Sequence, residues 1–194
     1  MRWMFTHYTF VALVCWWALA LVWLPGYFLR LRARKAPTPY PAAQIVAPLL
    51  LYACFFLMFA GPRLGFRLLL TPRTPALGVL GDILAVAGVA FAIWARLTLG
   101  RNWSGLIVSV REGQGLVQHG PYAIVRHPIY TGFICAMVGT ALTIGTLASW
   151  IGVASGTVAL LIRAEIEDRM MAAEFGDAHA AYRARTKKLI PFVW

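Results

Sequence analysis

The chain is poor in charge. Only 13% of its 194 residues are Asp, Glu, Lys or Arg, against about 25% in a typical soluble domain. Together with the apolar content, that scarcity places the chain in the membrane class. Acid is scarcest, with seven acidic residues against 18 basic ones and a net charge of +11. Such an excess would suit nucleic acid if it formed one stripe. Here the basic residues fall between apolar runs, as loop charges do in membrane proteins, so nucleic-acid binding is set aside. There are only three cysteines, Cys15, Cys54 and Cys135, all in apolar segments and without CxxC spacing. A disulfide framework and a zinc site are excluded. The four histidines, His7, His119, His127 and His179, form no HExxH or HxxxH pattern, so no metal is expected. The first apolar run, Tyr8 to Leu29, carries 22 residues without a charge and ends in "RLRARK". A signal h-region is about 7–15 residues and ends at a small-residue cleavage site. The run therefore reads as a retained span. No inverted repeat marks a transporter.

What is present is apolar length. Hydrophobic residues make up 60% of the chain and the mean hydropathy is +0.70. A helix needs about 20 apolar residues to cross a bilayer. The spacing predicts an all-α integral membrane protein with spans at Tyr8–Leu29, Pro41–Ala60 and Ala76–Ala95. Residues 129 to 162 then run 34 positions without one charge. As one helix that would be about 51 Å, beyond what ordinary tilt accommodates. A hairpin of two helices turning near Gly145–Ser149 fits better, giving about five transmembrane helices followed by a cytosolic C-terminal helix. Five spans place 14 basic residues on one side and four on the other, which predicts a cytoplasmic third loop and tail. The expected division is an N-terminal part, 1–95, holding three spans, and a core, 96–194.

The two ends of the hairpin thus emerge on one face, where the two longest polar segments lie. The third loop carries "GLVQHGPYAIVRHPIYTG". "LIVSV" ahead of it is too short for a sheet. Gly115 and Gly120 permit close backbone approach to a ligand. Pro128 predicts a helix start with His127 as its cap and Tyr130 in the first turn. A helix N-terminus is electropositive and suits an anionic group. In the tail, "RAEIEDRMMAAEFGDAHAAYRARTKKLIPFVW", Arg163 and Glu167 stand four apart on one helical face. Their charges begin where the apolar run stops, at a depth where ionisable groups need partners or a wet cavity. The helix breaks at Gly176 and restarts. "RTKKLIPFVW" is basic and aromatic, as a membrane-surface anchor would be. Asp82 is a lone acid inside the third span.

Taken in order, "LGRNWSG", "GLVQHGPYAIVRHPIYTG" and the tail motif resemble the isoprenylcysteine carboxyl methyltransferase family, within a wider phospholipid methyltransferase-like group. The likeness covers residues 96–194. It implies S-adenosylmethionine as methyl donor, held by the third loop, the start of the hairpin and the tail helix. The family's H-x-L-V segment reads Gln114, Gly115, Leu116, Val117 here, with Gln in place of His. Tyr122 and the run His127, Pro128, Ile129, Tyr130 match directly, as do Arg163 and Glu167. The acidic pair is Glu167-Asp168 where many members have Glu-Glu, and the loop is about one residue longer.

The resemblance fixes the chemistry to be asked of these residues. Glu167 is placed to accept from the ammonium of the cofactor, and His127 with the helix N-terminus to meet its carboxylate. Arg163 is placed to hold an acceptor carboxylate by a bidentate contact. A carboxylate acceptor is already ionised at neutral pH and needs no base. An amine acceptor needs one, and Glu167 and Asp168 are the candidates. The expected function is O-methylation of a prenylated cysteine or similar lipidic acid. The alternatives are phospholipid amine N-methylation and a non-enzymatic membrane protein. The expected setting is a bacterial plasma membrane, with the site on its cytoplasmic face and membrane lipids as surroundings.

Overall fold

The structure is a computed structural model that describes residues 2–31, 41–102 and 115–191. Its regular elements are all helices, with isolated β-bridges but no strand among the described residues. The elements are α1 (Arg2–Leu31), α2 (Pro41–Phe55), α3 (Pro75–Leu99), α4 (Pro128–Ile144) and α5 (Leu147–Arg185). A π-helical turn, Phe56–Ala60, closes α2.

Helices end where the backbone chemistry ends them. Thr74 caps α3, its hydroxyl accepting from the Leu77 amide, and Pro75 follows at the first helical position. α3 outruns its expected end at Ala95 because nothing breaks it before Gly100, whose φ of +53° few other residues adopt. Apolarity marks the thickness to be crossed; caps and glycines mark where the helix stops. At Gly145, with φ +75°, α4 ends and the chain reverses into Thr146, whose hydroxyl accepts from Ser149 N at 3.2 Å to start α5. The residue 66–73 loop seals this turn: Leu70 N donates to the Gly145 carbonyl, Leu147 N donates to Leu68, and Arg73 Nε donates to Ile144.

Small residues decide the packing. α3 presents a buried face of Gly81, Ala85, Gly88, Ala92 and Ala95, and α4 answers with Gly132, Ala136 and Gly139. A Cβ placed on Gly88 would lie 2.5 Å from the Gly132 carbonyl oxygen, and one on Gly139 would lie 2.5 Å from that of Gly81. Such close approach maximises dispersion contact and is the usual solution for helices that do not gain from burying apolar surface away from water. α2 packs on α5, where Gly152 meets the backbone of Cys54. α1 leans on α3 and α4, tied by a hydrogen bond from Trp16 Nε1 to Thr140 Oγ1 at 3.0 Å.

Outward faces are apolar, with Trp17, Leu21, Tyr52, Ile83 and Leu97 all more than half exposed, a pattern that marks a lipid or protein contact surface. Among the described residues α3 and α5 are long and apolar enough to cross a membrane; the apolar stretches Thr9–Leu24, Ile45–Ala60 and Pro128–Ile144 are shorter. α5 is apolar only to Ile162 and then runs on as a polar helix to Arg185, broken by one non-helical residue, Gly176.

Candidate functional site

The start of α4 and the polar half of α5 meet. His127 caps α4 with Pro128 behind it, as the sequence predicts. Its ring is buried and sits between two acids of α5: Nδ1 lies 3.4 Å from Glu167 Oε2 and Nε2 lies 3.1 Å from Asp168 Oδ1. One turn on, the Tyr130 ring stacks parallel to the imidazole, 5.6 Å between centroids. Tyr130 Oη donates to Glu167 Oε1 at 2.5 Å and accepts from Arg163 Nε at 3.2 Å. Arg163 Nη2 also faces Glu167 Oε1 at 3.7 Å, the expected spacing of four along one helix face. His127, Tyr130, Arg163 and Glu167 thus form one hydrogen-bonded group across 40 residues of sequence.

Asp168 anchors a second group. Arg126 reaches it with Nε and Nη2, at 3.4 and 3.5 Å. Lys188 Nζ stands 3.7 Å away and His179 Nε2 3.8 Å away. Arg126 also donates to the Thr186 carbonyl at 2.6 Å. The chain after α5 lies along the residues before α4: Arg126 N donates to Lys187 and His127 N to Lys188, and Thr131 Oγ1 donates to Leu189. Tyr182 Oη donates to the Tyr122 carbonyl at 2.6 Å. The tail therefore holds the loop that carries Tyr122 and His127.

This arrangement sets the charges. Burial opposes ionisation of Asp168, but His127 and then Arg126 outweigh it and hold its carboxyl well below the ordinary range. Burial likewise opposes ionisation of Glu167, and contacts with His127 and Arg163 overcome it. For His127 burial favours the neutral ring; the hydrogen bonds to Asp168 and Glu167 win and raise its pKa. Each charge is stabilised by its neighbours rather than by water.

These groups line a cavity of about 500 Å³, within the usual range for small-molecule sites. Its polar end carries Tyr122, Arg126, His127, Tyr130, Arg163, Glu167 and Asp168, and Gly115, Leu116 and Val117 also line it. Its other end is apolar and is walled by Trp16, Trp23, Leu51, Phe55 and Phe133 from α1, α2 and α4. Of the residues singled out in the sequence, Gln114 lies outside the described residues, as does "LIVSV". Pro128 is fully buried and shapes the helix start, while Ile129 lines the cavity. Asp82 lies in α3, near Cys15 of α1, and is not among the cavity residues.

A family model described as phospholipid methyltransferase matches residues 77–178, more than half of the chain. The chain belongs to the phospholipid methyltransferase family. The match begins in α3 and ends just past the Gly176 break, so it spans the packed α3–α4 pair and both acids of the site. The likeness read from the three motifs is borne out in the relatives. Protein-S-isoprenylcysteine O-methyltransferase A of Arabidopsis thaliana is 30% identical over 58% of this chain and 58% of its own length. The cobalt-zinc-cadmium resistance protein CzcN of Cupriavidus metallidurans is 34% identical over 56% of this chain and 48% of its own. The chain thus spans about half the length of the curated relatives it matches. A solved eukaryotic intramembrane isoprenylcysteine carboxyl methyltransferase is 25% identical, with a TM-score of 0.53, over 75% of this chain and 52% of that one.

Sequence reasoning missed several site residues. Arg126 enters the sequence reading only as one of the 14 basic residues of the loops and tail, although it directly precedes His127. His179 and Tyr182 lie beyond the Gly176 break, which was visible as a break but not as a return toward the site. The aromatic wall from α1 and α2 has no local signature, because Trp and Phe in an apolar helix look the same whether they face lipid or a cavity.

Proposed function

We propose that the chain is an integral membrane methyltransferase that uses S-adenosylmethionine to O-methylate the carboxylate of a lipid-tailed acid, with a prenylated cysteine as the favoured acceptor. The observation that carries this reading is that one cavity is lined both by the ion-paired polar group and by an apolar aromatic wall. A soluble cofactor and a greasy acceptor both need to reach one point, and a two-ended cavity meets that need. The names of the relatives point the same way.

The residues present fit the methyl donor. Two ionised acids can accept from its ammonium, the Tyr130 ring offers a face to a sulfonium, and the volume suffices for a nucleoside. In this reading Gln114, Gly115, Leu116, Val117, Tyr122, His127, Pro128, Ile129, Tyr130 and Glu167 form the cofactor site. When bound, the donor supplies an electrophilic methyl group on sulfur. Glu167 fixes its amino-acid end. Arg163, which lines the cavity beside Tyr130, holds the acceptor carboxylate by its guanidinium fork. The apolar wall orients the acceptor tail and keeps water away, so the work is alignment rather than proton transfer. Five membrane crossings with the site on the cytoplasmic face of a bacterial plasma membrane, and a core of residues 96–194 joined to three N-terminal spans, complete the proposal.

Phospholipid amine methylation is the second reading, favoured by the family's name. The charges argue against it. An amine must lose a proton, and a useful base has a pKa near the working pH; here both acids are held below their ordinary values. Cations also outnumber acids at the polar end, which suits an anionic acceptor.

Radiolabelled methyl transfer in detergent, offered a farnesylcysteine analogue and phosphatidylethanolamine side by side, separates the readings. Alkali-labile methyl ester on the first is expected, and stable label on the second would replace this proposal. Glu167→Ala should weaken cofactor binding about 10–100-fold, as loss of a charged hydrogen bond of about 1.5–3 kcal/mol implies, and Arg163→Ala should mainly lower turnover. Full activity in both variants would remove these residues from the site. Absence of any cofactor binding by calorimetry would favour a non-enzymatic membrane protein.

A further inference from the structure

His179 is the buried group of the cavity that the mechanism leaves unused. It is only 2% exposed and lines the cavity. Its Nδ1 is buried and has no hydrogen-bond partner among the described residues. Burying such an atom unsatisfied costs about 1–3 kcal/mol, so a native structure that keeps one calls for an explanation.

Its position is built, not incidental. Along a straight helix, residues 168 and 179 would be separated by about 16 Å. Instead His179 Nε2 stands 3.8 Å from Asp168 Oδ1. The break at Gly176, with φ +48° and ψ −120°, turns the chain back. The returned segment is then pinned by Tyr182 on the Tyr122 carbonyl and by Arg126 on the Thr186 carbonyl.

The tautomer follows from the surroundings. Burial lowers the His179 pKa, Asp168 opposes this, and Arg183, Arg126 and His127 add to the lowering. The ring is therefore neutral, with one N–H and one acceptor. The acid beside Nε2 favours the proton there, which leaves Nδ1 as a bare acceptor.

We propose that His179 is a specificity-determining residue whose Nδ1 accepts a hydrogen bond from a neutral donor, a ribose hydroxyl or the base amine, on the nucleoside of the methyl donor. The inference rests on the methyl-donor reading above. The charged end of the donor already has Glu167 and His127, and the tail of the acceptor has the apolar wall. The nucleoside is the remaining part that carries neutral donors.

Calorimetry with S-adenosylhomocysteine in detergent tests this without turnover. Wild type, His179→Phe and His179→Asn are each titrated with the parent ligand and with its 2′-deoxy, 3′-deoxy and inosyl analogues. The analogues separate the hydroxyls from the amine. His179→Phe should lose about 10-fold in affinity, and wild type should lose a similar factor for one analogue. Combining that analogue with His179→Phe should give no further loss, because both remove the same bond. His179→Asn, which keeps an acceptor, should stay within about 3-fold. Equal binding by wild type and His179→Phe, or losses that multiply for every analogue, would overturn the inference. Should His179→Phe fail to fold, His179→Asn and the wild-type analogue series carry the test: undiminished binding of all three analogues overturns it. Wild type that binds no S-adenosylhomocysteine at all would instead overturn the methyl-donor reading.

Discussion

Asp168→Asn is the substitution whose cost the structure defines best. The carboxylate side chain is 7% exposed and faces His127 at 3.1 Å, Arg126 at 3.4 Å and Lys188 at 3.7 Å. Asparagine keeps the shape and removes the charge. Breaking a buried pair from one side costs about 3–5 kcal/mol, because the partner is left buried and uncompensated. Two features place the cost at the lower end. His127 can release its proton, and Arg126 keeps its bond to the Thr186 carbonyl at 2.6 Å. About 3 kcal/mol is expected near pH 6, which for a chain of this size is a fall in Tm of about 6–12 °C. The pH dependence follows from the two shifts. The folded pKa of Asp168 is depressed, so its contribution is complete above the unfolded value of about 3.9 and is lost only as pH falls through the lower folded value. The folded pKa of His127 is raised, so its share is complete below about 6.5 and is lost as pH rises through the folded value. The gap between wild type and variant should therefore be widest between about pH 5 and 6.5 and narrow on the alkaline side, with a remainder carried by Arg126. Tryptophan fluorescence during thermal unfolding in detergent, at intervals from pH 5 to 9, reads both quantities. A Tm loss below about 2 °C at pH 6, or a gap that does not change with pH, would refute the ion-pair reasoning.

Two glycines give independent checks. Gly88→Ala sets a Cβ 2.5 Å from the Gly132 carbonyl oxygen and 2.6 Å from Ala136 N. Both obstacles are backbone, so α3 and α4 must part, at about 1–3 kcal/mol; an unchanged Tm would mean that the helices do not meet as described. Gly176→Ala meets nothing within 4 Å, so any cost is purely that of the φ of +48°, of order 1–3 kcal/mol. It should lower Tm and also weaken S-adenosylhomocysteine binding by moving His179, whereas unaltered affinity and stability would show that the break tolerates an ordinary residue.

Much of the architecture is legible because it is local. Runs without charge mark the helices, Thr74 with Pro75 starts α3, Gly145 turns the hairpin, and Pro128 makes His127 a cap. The spacing of Arg163 and Glu167 puts both on one face whatever surrounds the helix. Each of these follows from a few neighbouring residues, and the sequence by itself determined them. It also determined that the two ends of the hairpin emerge together, since two helices joined by a tight turn must return. Only the tertiary structure decided which charges meet. Arg126 and Asp168 are 42 residues apart and His127 and Glu167 are 40 apart, and such distances are closed by packing that no local pattern encodes. The same holds for the aromatic wall of α1 and α2 and for His179. A single glycine conformation turns that histidine from the far end of a helix to the side of Asp168, because a helix changes direction at a residue with non-helical φ and ψ and then lies where the surrounding elements hold it.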